Sequence, residues 1–236
     1  MDWTTWESRF RRFLDEEADP PADPAHDRAH TERVVRMARR LARLEGAEPA
    51  VVVPAAWLHD CAHAPKDAPQ RHAASAEAAR RAKDFLEDAG YPPEHLAPIG
   101  HAIEAHSFSA GVAARTLEAR VVQDADRLDA LGAVGIARCF AVGGALGHAL
   151  YDPGEPLPQK RPPDDDQFAV DHFFAKLLPL ADQMHTETGR AEAKKRTAFM
   201  RDYLDQFEHE VSDDTPAPEE RSTEERPTNH DQRPTK

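Results

Sequence analysis

Apolar residues recur at helical spacing along most of the chain, and runs of alternating β-branched residues are scarce. This pattern predicts an all-α fold. The first predicted helix is amphipathic, and its large apolar residues are Trp3, Trp6, Phe10, Phe13 and Leu14. A cluster of prolines ends it near residue 20. We interpret its aromatic stripe as part of the core or of an interface.

The next two predicted helices carry polar residues beside apolar ones. One helix is expected over residues 27–44, with an inner face formed by Val34, Ala38, Leu41 and Leu44. A proline opens the following helix, whose apolar run over residues 51–58 ends at His59 and Asp60. The pattern therefore predicts that this His-Asp pair lies at the end of a buried helix.

Further helices are predicted over residues 72–89, 118–140, 168–180 and 188–210, and a segment after residue 93 carries His101 and His106. Glycines after residue 140 are expected to loosen the chain. Residues 152–166 contain five prolines and many charges, which predicts a long loop of the kind that forms lids or binding surfaces. We expect one domain over residues 1–211 and a disordered acidic, Pro-rich tail over residues 212–236.

The net charge of the chain disfavours some classes of binding partner. The formal net charge is −13 and the pI is near 5.4, so the chain repels nucleic-acid polymers and anionic membranes in bulk. A phosphorylated substrate would then need a local positive site, which a metal ion can supply. The sequence contains no long apolar span and no signal peptide, which favours the cytoplasm. The two cysteines, Cys61 and Cys139, are predicted core residues and not a disulfide.

Three His-Asp dipeptides occur, at residues 26–27, 59–60 and 230–231. The last lies in the predicted tail. The first is interpreted as a helix start, where Asp27 favours the positive end of the helix dipole. The pair His59-Asp60 follows an apolar run, and a buried imidazole and carboxylate need a partner. They could bond to each other or bind a metal ion.

Two other segments favour the metal ion. His30 stands at the start of an apolar helical stripe, so its ring can point inward. Asp124, Asp126 and Asp129 lie in an otherwise apolar helix, where at least one should bind an arginine or a metal. Two imidazoles and two carboxylates from separate helices suit a divalent ion, with positions left for water and a phosphate oxygen.

Additional residues are candidates for catalysis and substrate binding. His101 and His106 could bind phosphate, donate a proton to a leaving group or ligate a second ion, or could instead be core or capping residues. Lys66 is a candidate for both catalysis and substrate binding, and Arg71 and Lys176 are candidates for substrate binding. The alternative for these basic side chains is ordinary solvated surface.

Five segments resemble the HD superfamily of metal-dependent phosphohydrolases, and more narrowly its YedJ/YpgQ-like group. They read HDRAHTERV, WLHDCAHAPKDAPQRHAAS, HAIEAHSFS, VVQDADRLDALGAVGIARCFAVGGALG and DHFFAKLLPLADQMHTETGR. Together they cover most of residues 23–207. The resemblance implies an HD-domain helical bundle with a central metal site, whose ligands are His30, His59, Asp60 and Asp126. Asp126 is preferred to Asp124 because it stands in an A-D-R-L segment that resembles the family motif, and Asp124 stays the alternative.

The resemblance also implies an activity. The expected reaction is hydrolysis of a nucleoside or deoxynucleoside triphosphate to the monophosphate and pyrophosphate by metal-activated water. Manganese is the preferred ion, with Mg, Fe, Co, Ni or Zn as alternatives. The alternatives to this reaction are a phosphodiesterase or phosphatase acting on cyclic or signalling nucleotides, and a non-catalytic nucleotide-binding HD module. The expected partner is a small phosphorylated molecule, and a homodimer is compatible with the sequence.

Overall fold

The computed structural model describes residues 1–16, 27–62, 74–107 and 110–212. Within these ranges the chain forms nine α-helices, which are α1 (Trp3–Glu16), α2 (Arg28–Glu45), α3 (Pro49–Leu58), α4 (Ala74–Asp88), α5 (Pro93–His106), α6 (Leu117–Asp129), α7 (Gly132–Leu146), α8 (Leu178–Leu180) and α9 (Glu187–Val211). A π-helical turn at Phe173–Leu177 leads into α8, and a 3₁₀ turn at Ala181–Gln183 follows it. In the part of the chain described, extended residues pair only at the isolated bridge between Ala149 and Phe168. The all-α prediction is confirmed.

Helix α3 forms the centre of the bundle. Every residue from Ala50 to Leu58 is buried, as expected of a helix that is apolar on all sides. Pro54 lies inside α3 and has no N–H to donate to the carbonyl of Ala50, one turn earlier. The hydroxyl of Tyr91 donates to that carbonyl instead, at 2.7 Å. A side chain from outside the helix therefore supplies the hydrogen bond that proline removes.

Helices α1, α2, α5 and α6 surround α3, and α4 packs on α5. The aromatic stripe of α1 faces the core: Phe10 is fully buried, and its ring lies 6.5 Å from that of Trp57. Both cysteines are buried and are not joined in a disulfide, so the prediction that they are core residues is confirmed. Among the described residues, no single helix is both long and apolar enough to cross a membrane. The helices α6 and α7, which are bent relative to each other, reach that length and apolarity only when they are counted as one segment.

Asp27 caps the start of α2, and its side chain accepts a hydrogen bond from the backbone N–H of His30 at 2.7 Å. Such a cap satisfies a free N–H of the first turn and defines where His30 stands. One sequence prediction about this helix is wrong, because Leu44 is 53% exposed. The buried stripe runs from Val34 to Ala42, and at about 100° per residue Leu44 falls beyond its edge.

The single helix predicted over residues 118–140 is also wrong. The chain bends by 66° between α6 and α7. The bend is built by Gly132, which has φ +75°, a value that favours glycine. Gly135 then packs against the carbonyl of Ala130, where a Cβ would come within 2.1 Å of the oxygen. The loosening expected after residue 140 is likewise absent, because α7 continues to Leu146.

The predicted loop at residues 152–166 is tied to the domain by a buried ion pair. Arg161 donates both Nη atoms to the carboxylate of Asp171, which is fully buried. The same carboxylate accepts a hydrogen bond from the backbone N–H of Asp164 at 2.7 Å. Leu157 in the loop is buried in the core. This anchoring defines the path of the loop, and its role as a lid stays a prediction.

Candidate metal centre

Three histidine rings are oriented by the hydrogen bonds of their Nδ1 atoms. His30 Nδ1 lies 2.7 Å from Asp129 Oδ2. His59 Nδ1 lies 2.9 Å from the carbonyl of Ala56, and His106 Nδ1 lies 2.6 Å from the carbonyl of Ile103. A carbonyl or ionised carboxylate only accepts, so each Nδ1 must carry the proton. In the neutral ring, Nε2 then presents a lone pair.

The Nε2 atoms of His30 and His59 face the same two carboxylates. His30 Nε2 lies 3.4 Å from Asp126 Oδ1 and 3.8 Å from Asp60 Oδ2. His59 Nε2 lies 3.4 Å from Asp60 Oδ2 and 3.9 Å from Asp126 Oδ1. The structure therefore brings together all four side chains that the sequence predicts as metal ligands, from α2, the end of α3 and α6.

This arrangement fits a divalent cation. Ligand atoms of His30, His59 and Asp60 lie within 4.8 Å of one another. The Nε2 atom of His59 is buried and has no hydrogen-bond partner among the described residues, which a metal ion would remedy. Burial is the largest influence on the pKa of His59 and lowers it, which favours the neutral ring that a metal requires.

The two halves of the site differ in exposure. The side chains of His30 and His59 are fully buried, whereas those of Asp60 and Asp126 are 21% and 28% exposed. The carboxylates therefore form the open side of the site. A solvent molecule or a substrate oxygen would have to approach a bound ion from that side.

His106 faces Oδ1 of Asp60, whereas His30 and His59 face Oδ2. Its Nε2 lies 3.3 Å from Asp60 Oδ1, and its ring lies 4.9 Å from that of His59, at 84°. Burial by itself would lower the pKa of His106, but the hydrogen bond to Asp60 and the charges of Asp60 and Asp126 outweigh it and raise the pKa to about 9. A cation on the same carboxylates would oppose this rise.

Asp129 is a buried carboxylate behind His30. It accepts hydrogen bonds from Arg33 Nε at 2.7 Å, Arg33 Nη2 at 2.9 Å and Arg138 Nη1 at 2.8 Å, besides its contact with His30. Burial alone would raise its pKa, but these hydrogen bonds and charges hold the pKa well below the ordinary value. The carboxylate is therefore ionised beside the ring of His30.

Asp124, the alternative ligand, points to a different place. Its carboxylate accepts hydrogen bonds from the backbone N–H groups of His185 and Thr186, and from the hydroxyl of Thr186 at 2.7 Å. Thr186 is the residue that caps α9. The carboxylate of Asp124 thus joins α6 to the start of α9, and the geometry favours Asp126 as the fourth ligand.

The other predicted site residues occupy varied positions. His101 is partly exposed, and its Nε2 accepts a hydrogen bond from the backbone N–H of Arg115 at 3.2 Å. Lys176 is exposed on the π-helical turn. Among the described residues, neither side chain makes a hydrogen bond or an ion pair with the four ligands. Lys66 and Arg71 lie outside the described residues.

The ion pair between Arg33 and Asp129, which lies behind His30, could have been predicted from the spacing of residues in the sequence. Arg33 follows His30 by three residues, and Asp129 follows Asp126 by three, so each pair shares one helix face. A carboxylate on the ligand face of α6 and an arginine on the ligand face of α2 indicate a contact between the two helices. Arg138 could not have been found in this way, because its approach depends on the bend between α6 and α7.

Comparison with known proteins agrees with this site. Residues 28–131 match the family model described as HD domain, and this span includes all four predicted ligands. YpgQ of Bacillus subtilis (strain 168) is 37% identical over an alignment of 183 residues, and the match covers 76% of this chain and 81% of YpgQ. The match therefore extends over most of both proteins.

Solved structures show the same fold. The crystal structure of B. subtilis YpgQ in complex with ADP matches with a TM-score of 0.66 and 35% identity, over 87% of this chain and 98% of that one. An HD-superfamily hydrolase from Bacillus thuringiensis matches with a TM-score of 0.66 and 32% identity, over 89% and 98% of the two chains. The chain belongs to the HD domain family and is a YpgQ-like member of it.

Proposed function

We propose that this chain is a metal-dependent nucleotide pyrophosphohydrolase, which converts a nucleoside or deoxynucleoside triphosphate to the monophosphate and pyrophosphate. The observation that carries the proposal is a cluster of ligand atoms: those of His30, His59 and Asp60 lie within 4.8 Å of one another. Asp126 Oδ1 lies beside them, 3.4 Å from His30 Nε2 and 3.9 Å from His59 Nε2. A similar protein, B. subtilis YpgQ, was crystallised with ADP, which supports a nucleotide as the ligand. Free nucleotides in the cytoplasm are the proposed substrates.

The ligand set suits the proposed ion. His30 and His59 would each supply Nε2, and Asp60 and Asp126 would each supply a carboxylate oxygen. Two nitrogens and two oxygens fit Mn²⁺, the ion we propose, and also other divalent first-row ions. When bound, such an ion lowers the pKa of water and polarises a phosphoryl oxygen. The exposed sides of Asp60 and Asp126 leave room there for the α-phosphate of a nucleotide.

His106 is the residue that we assign to proton donation. Its Nδ1 is held by the carbonyl of Ile103, and its Nε2 is directed to Asp60 on the open side of the site. In the proposed reaction, the oxygen of a water molecule forms a bond to the α-phosphorus, that water loses one proton to solvent, and the bond from the α-phosphorus to the bridging oxygen breaks. Pyrophosphate leaves with that electron pair, and the Nε2 proton of His106 would neutralise the charge developing on it.

Four further residues complete the proposal. Lys66 and Arg71, which follow the His-Asp pair in the sequence, would neutralise phosphate oxygens, with Arg71 able to make two parallel hydrogen bonds. His101 lies on α5, the helix that carries His106, so a substrate extending along that helix could reach it. Lys176 is an exposed side chain that would meet only the outer part of a substrate.

Product analysis tests the reaction. Protein loaded with Mn²⁺ is incubated with ATP and dATP, and the products are identified by ³¹P NMR, with His59→Ala as the ligand-deficient control. Pyrophosphate with the nucleoside monophosphate supports the proposal. Inorganic phosphate with ADP would make the protein a phosphatase instead. Hydrolysis of cyclic nucleotides alone would indicate a phosphodiesterase, and nucleotide binding without turnover would indicate a binding module.

A further inference from the structure

We propose that Asp129 is a positioning residue, which holds the ring of His30 so that Nε2 faces the metal. The two groups come from different helices, α2 and α6, and lie 99 residues apart in the sequence. Asp129 is only 5% exposed, and its Oδ2 lies 2.7 Å from His30 Nδ1. The inference extends the proposed metal site and does not depend on the substrate.

The ring of His30 is held differently from those of His59 and His106. The Nδ1 atoms of His59 and His106 are held by carbonyls three residues earlier in their own chain segments. His30 stands in the first turn of α2, three residues after the capping residue Asp27, and its Nδ1 contacts Asp129 on another helix. The carboxylate of Asp129 takes the place of a local carbonyl.

The carboxylate of Asp129 determines which nitrogen of the His30 ring carries the proton. An ionised carboxylate accepts and cannot donate, so it selects the His30 tautomer with the proton on Nδ1. That tautomer leaves the lone pair on Nε2, the atom 3.4 Å from Asp126 Oδ1. Hydrogen bonds of this kind both orient a metal-binding histidine and increase its basicity.

Arg33 and Arg138 hold the carboxylate in place. Arg33 donates to both oxygens of Asp129, and Arg138 donates to Oδ2, the oxygen that also contacts His30. Two guanidinium groups from different helices compensate a buried charge and restrain the carboxylate. The position of His30 is thereby linked to α7, which carries Arg138.

Metal affinity measured by titration with Mn²⁺ alone is the first test. We expect Asp129→Ala to bind Mn²⁺ about 10- to 100-fold more weakly than the wild type. Asp129→Asn should fall in between, because its amide oxygen can still accept from His30. Asp171→Asn is the matched control: it also removes a buried carboxylate paired with an arginine, but one that belongs to the loop anchor. The Mn²⁺ affinity of Asp171→Asn should stay within about threefold of the wild type, although this variant should also have a lower free energy of unfolding.

The second test reads His30 directly, without metal or substrate. Nitrogen-15 NMR of the histidine rings distinguishes the Nδ1–H from the Nε2–H tautomer. We expect His30 to be the Nδ1–H form in the wild type and a mixture of both forms in Asp129→Asn. An unchanged tautomer together with Mn²⁺ affinity equal to that of the wild type would overturn the proposal. If the wild type binds no Mn²⁺, the metal proposal fails, and the NMR experiment still decides the relation between Asp129 and His30.

Discussion

Asp124 Oδ2 lies 2.7 Å from the hydroxyl of Thr186 and 2.8 Å from its backbone N–H, so one carboxylate on α6 holds the capping residue of α9. Asp126, two residues later, faces His30 and His59. The two aspartates are adjacent in the motif but lie on different faces of the helix. Their roles can therefore be separated by mutation.

We expect Asp124→Ala to lower the free energy of unfolding by about 2–4 kcal/mol, because buried N–H and O–H groups lose their acceptor. Its Mn²⁺ affinity should change little. Asp126→Asn should show the reverse, with weaker Mn²⁺ binding and an unfolding free energy within about 1 kcal/mol of the wild type without metal. Urea unfolding and Mn²⁺ titration of both variants measure this. Loss of metal by Asp124→Ala in a folded protein would restore Asp124 as the ligand.

Metal binding should stabilise the fold. A ligand at 100 times its dissociation constant adds about 2.7 kcal/mol to the free energy of unfolding, since the four side chains converge only in the folded chain. We expect Mn²⁺ to raise the melting temperature of the wild type and a chelator to reverse the rise. His59→Ala serves as the comparison, because it should melt at one temperature with or without Mn²⁺. An equal rise in both proteins would indicate binding elsewhere.

Replacement of His106 should affect catalysis more than binding. His106→Gln is expected to lower kcat by about 100-fold or more while KM changes less, because a proton donor acts in the transition state. His95→Gln is the control on the same helix, and it should keep wild-type activity because His95 packs beside Tyr91. His101→Gln decides whether the second predicted histidine shares the role. A kcat for His106→Gln within threefold of the wild type would contradict the assignment.

The hydrogen bond from Tyr91 to Ala50 can be tested by a double-mutant cycle. Tyr91→Phe should lower the free energy of unfolding by about 1–2 kcal/mol, because the carbonyl of Ala50 loses the hydroxyl that replaces the missing N–H of Pro54. Alanine at position 54 supplies the N–H that Pro54 lacks. In the Pro54→Ala background, Tyr91→Phe should therefore have a smaller effect, measured by urea unfolding. Equal effects in both backgrounds would show that the proline and the hydroxyl are independent.

Helical spacing predicted most helices of this fold, but it failed at the point where the chain changes direction between α6 and α7. The apolar run of residues 118–140 continues without interruption in the sequence, so periodicity could not reveal the bend. Its cause is one glycine with positive φ and another beneath a carbonyl, and both are interactions of the folded backbone. Leu44 was wrongly predicted to be buried for a related reason, because the sequence does not show whether an apolar residue at the edge of a helical stripe is buried or exposed.

Some features of the candidate site could be predicted from the sequence, and others could not. Motif resemblance identified the four side chains that meet, because each belongs to a segment with characteristic neighbours. The sequence also indicated that three aspartates in an apolar helix need positive partners. It could not assign a partner to each, since that depends on which helix packs against each face. Asp129 meets α2 and α7, and Asp124 meets the start of α9.

The turn at Gly132 has a consequence for the metal. Nine residues of straight helix would separate Asp129 and Arg138 by about 13 Å along the axis. Because the chain changes direction between them, Arg138 comes within 2.8 Å of the carboxylate behind His30. A residue with a Cβ at position 132 would have to adopt an unfavourable φ and would also meet Arg196 at 3.3 Å. A substitution at Gly132 would act on the proposed metal site through three side chains, those of Arg138, Asp129 and His30.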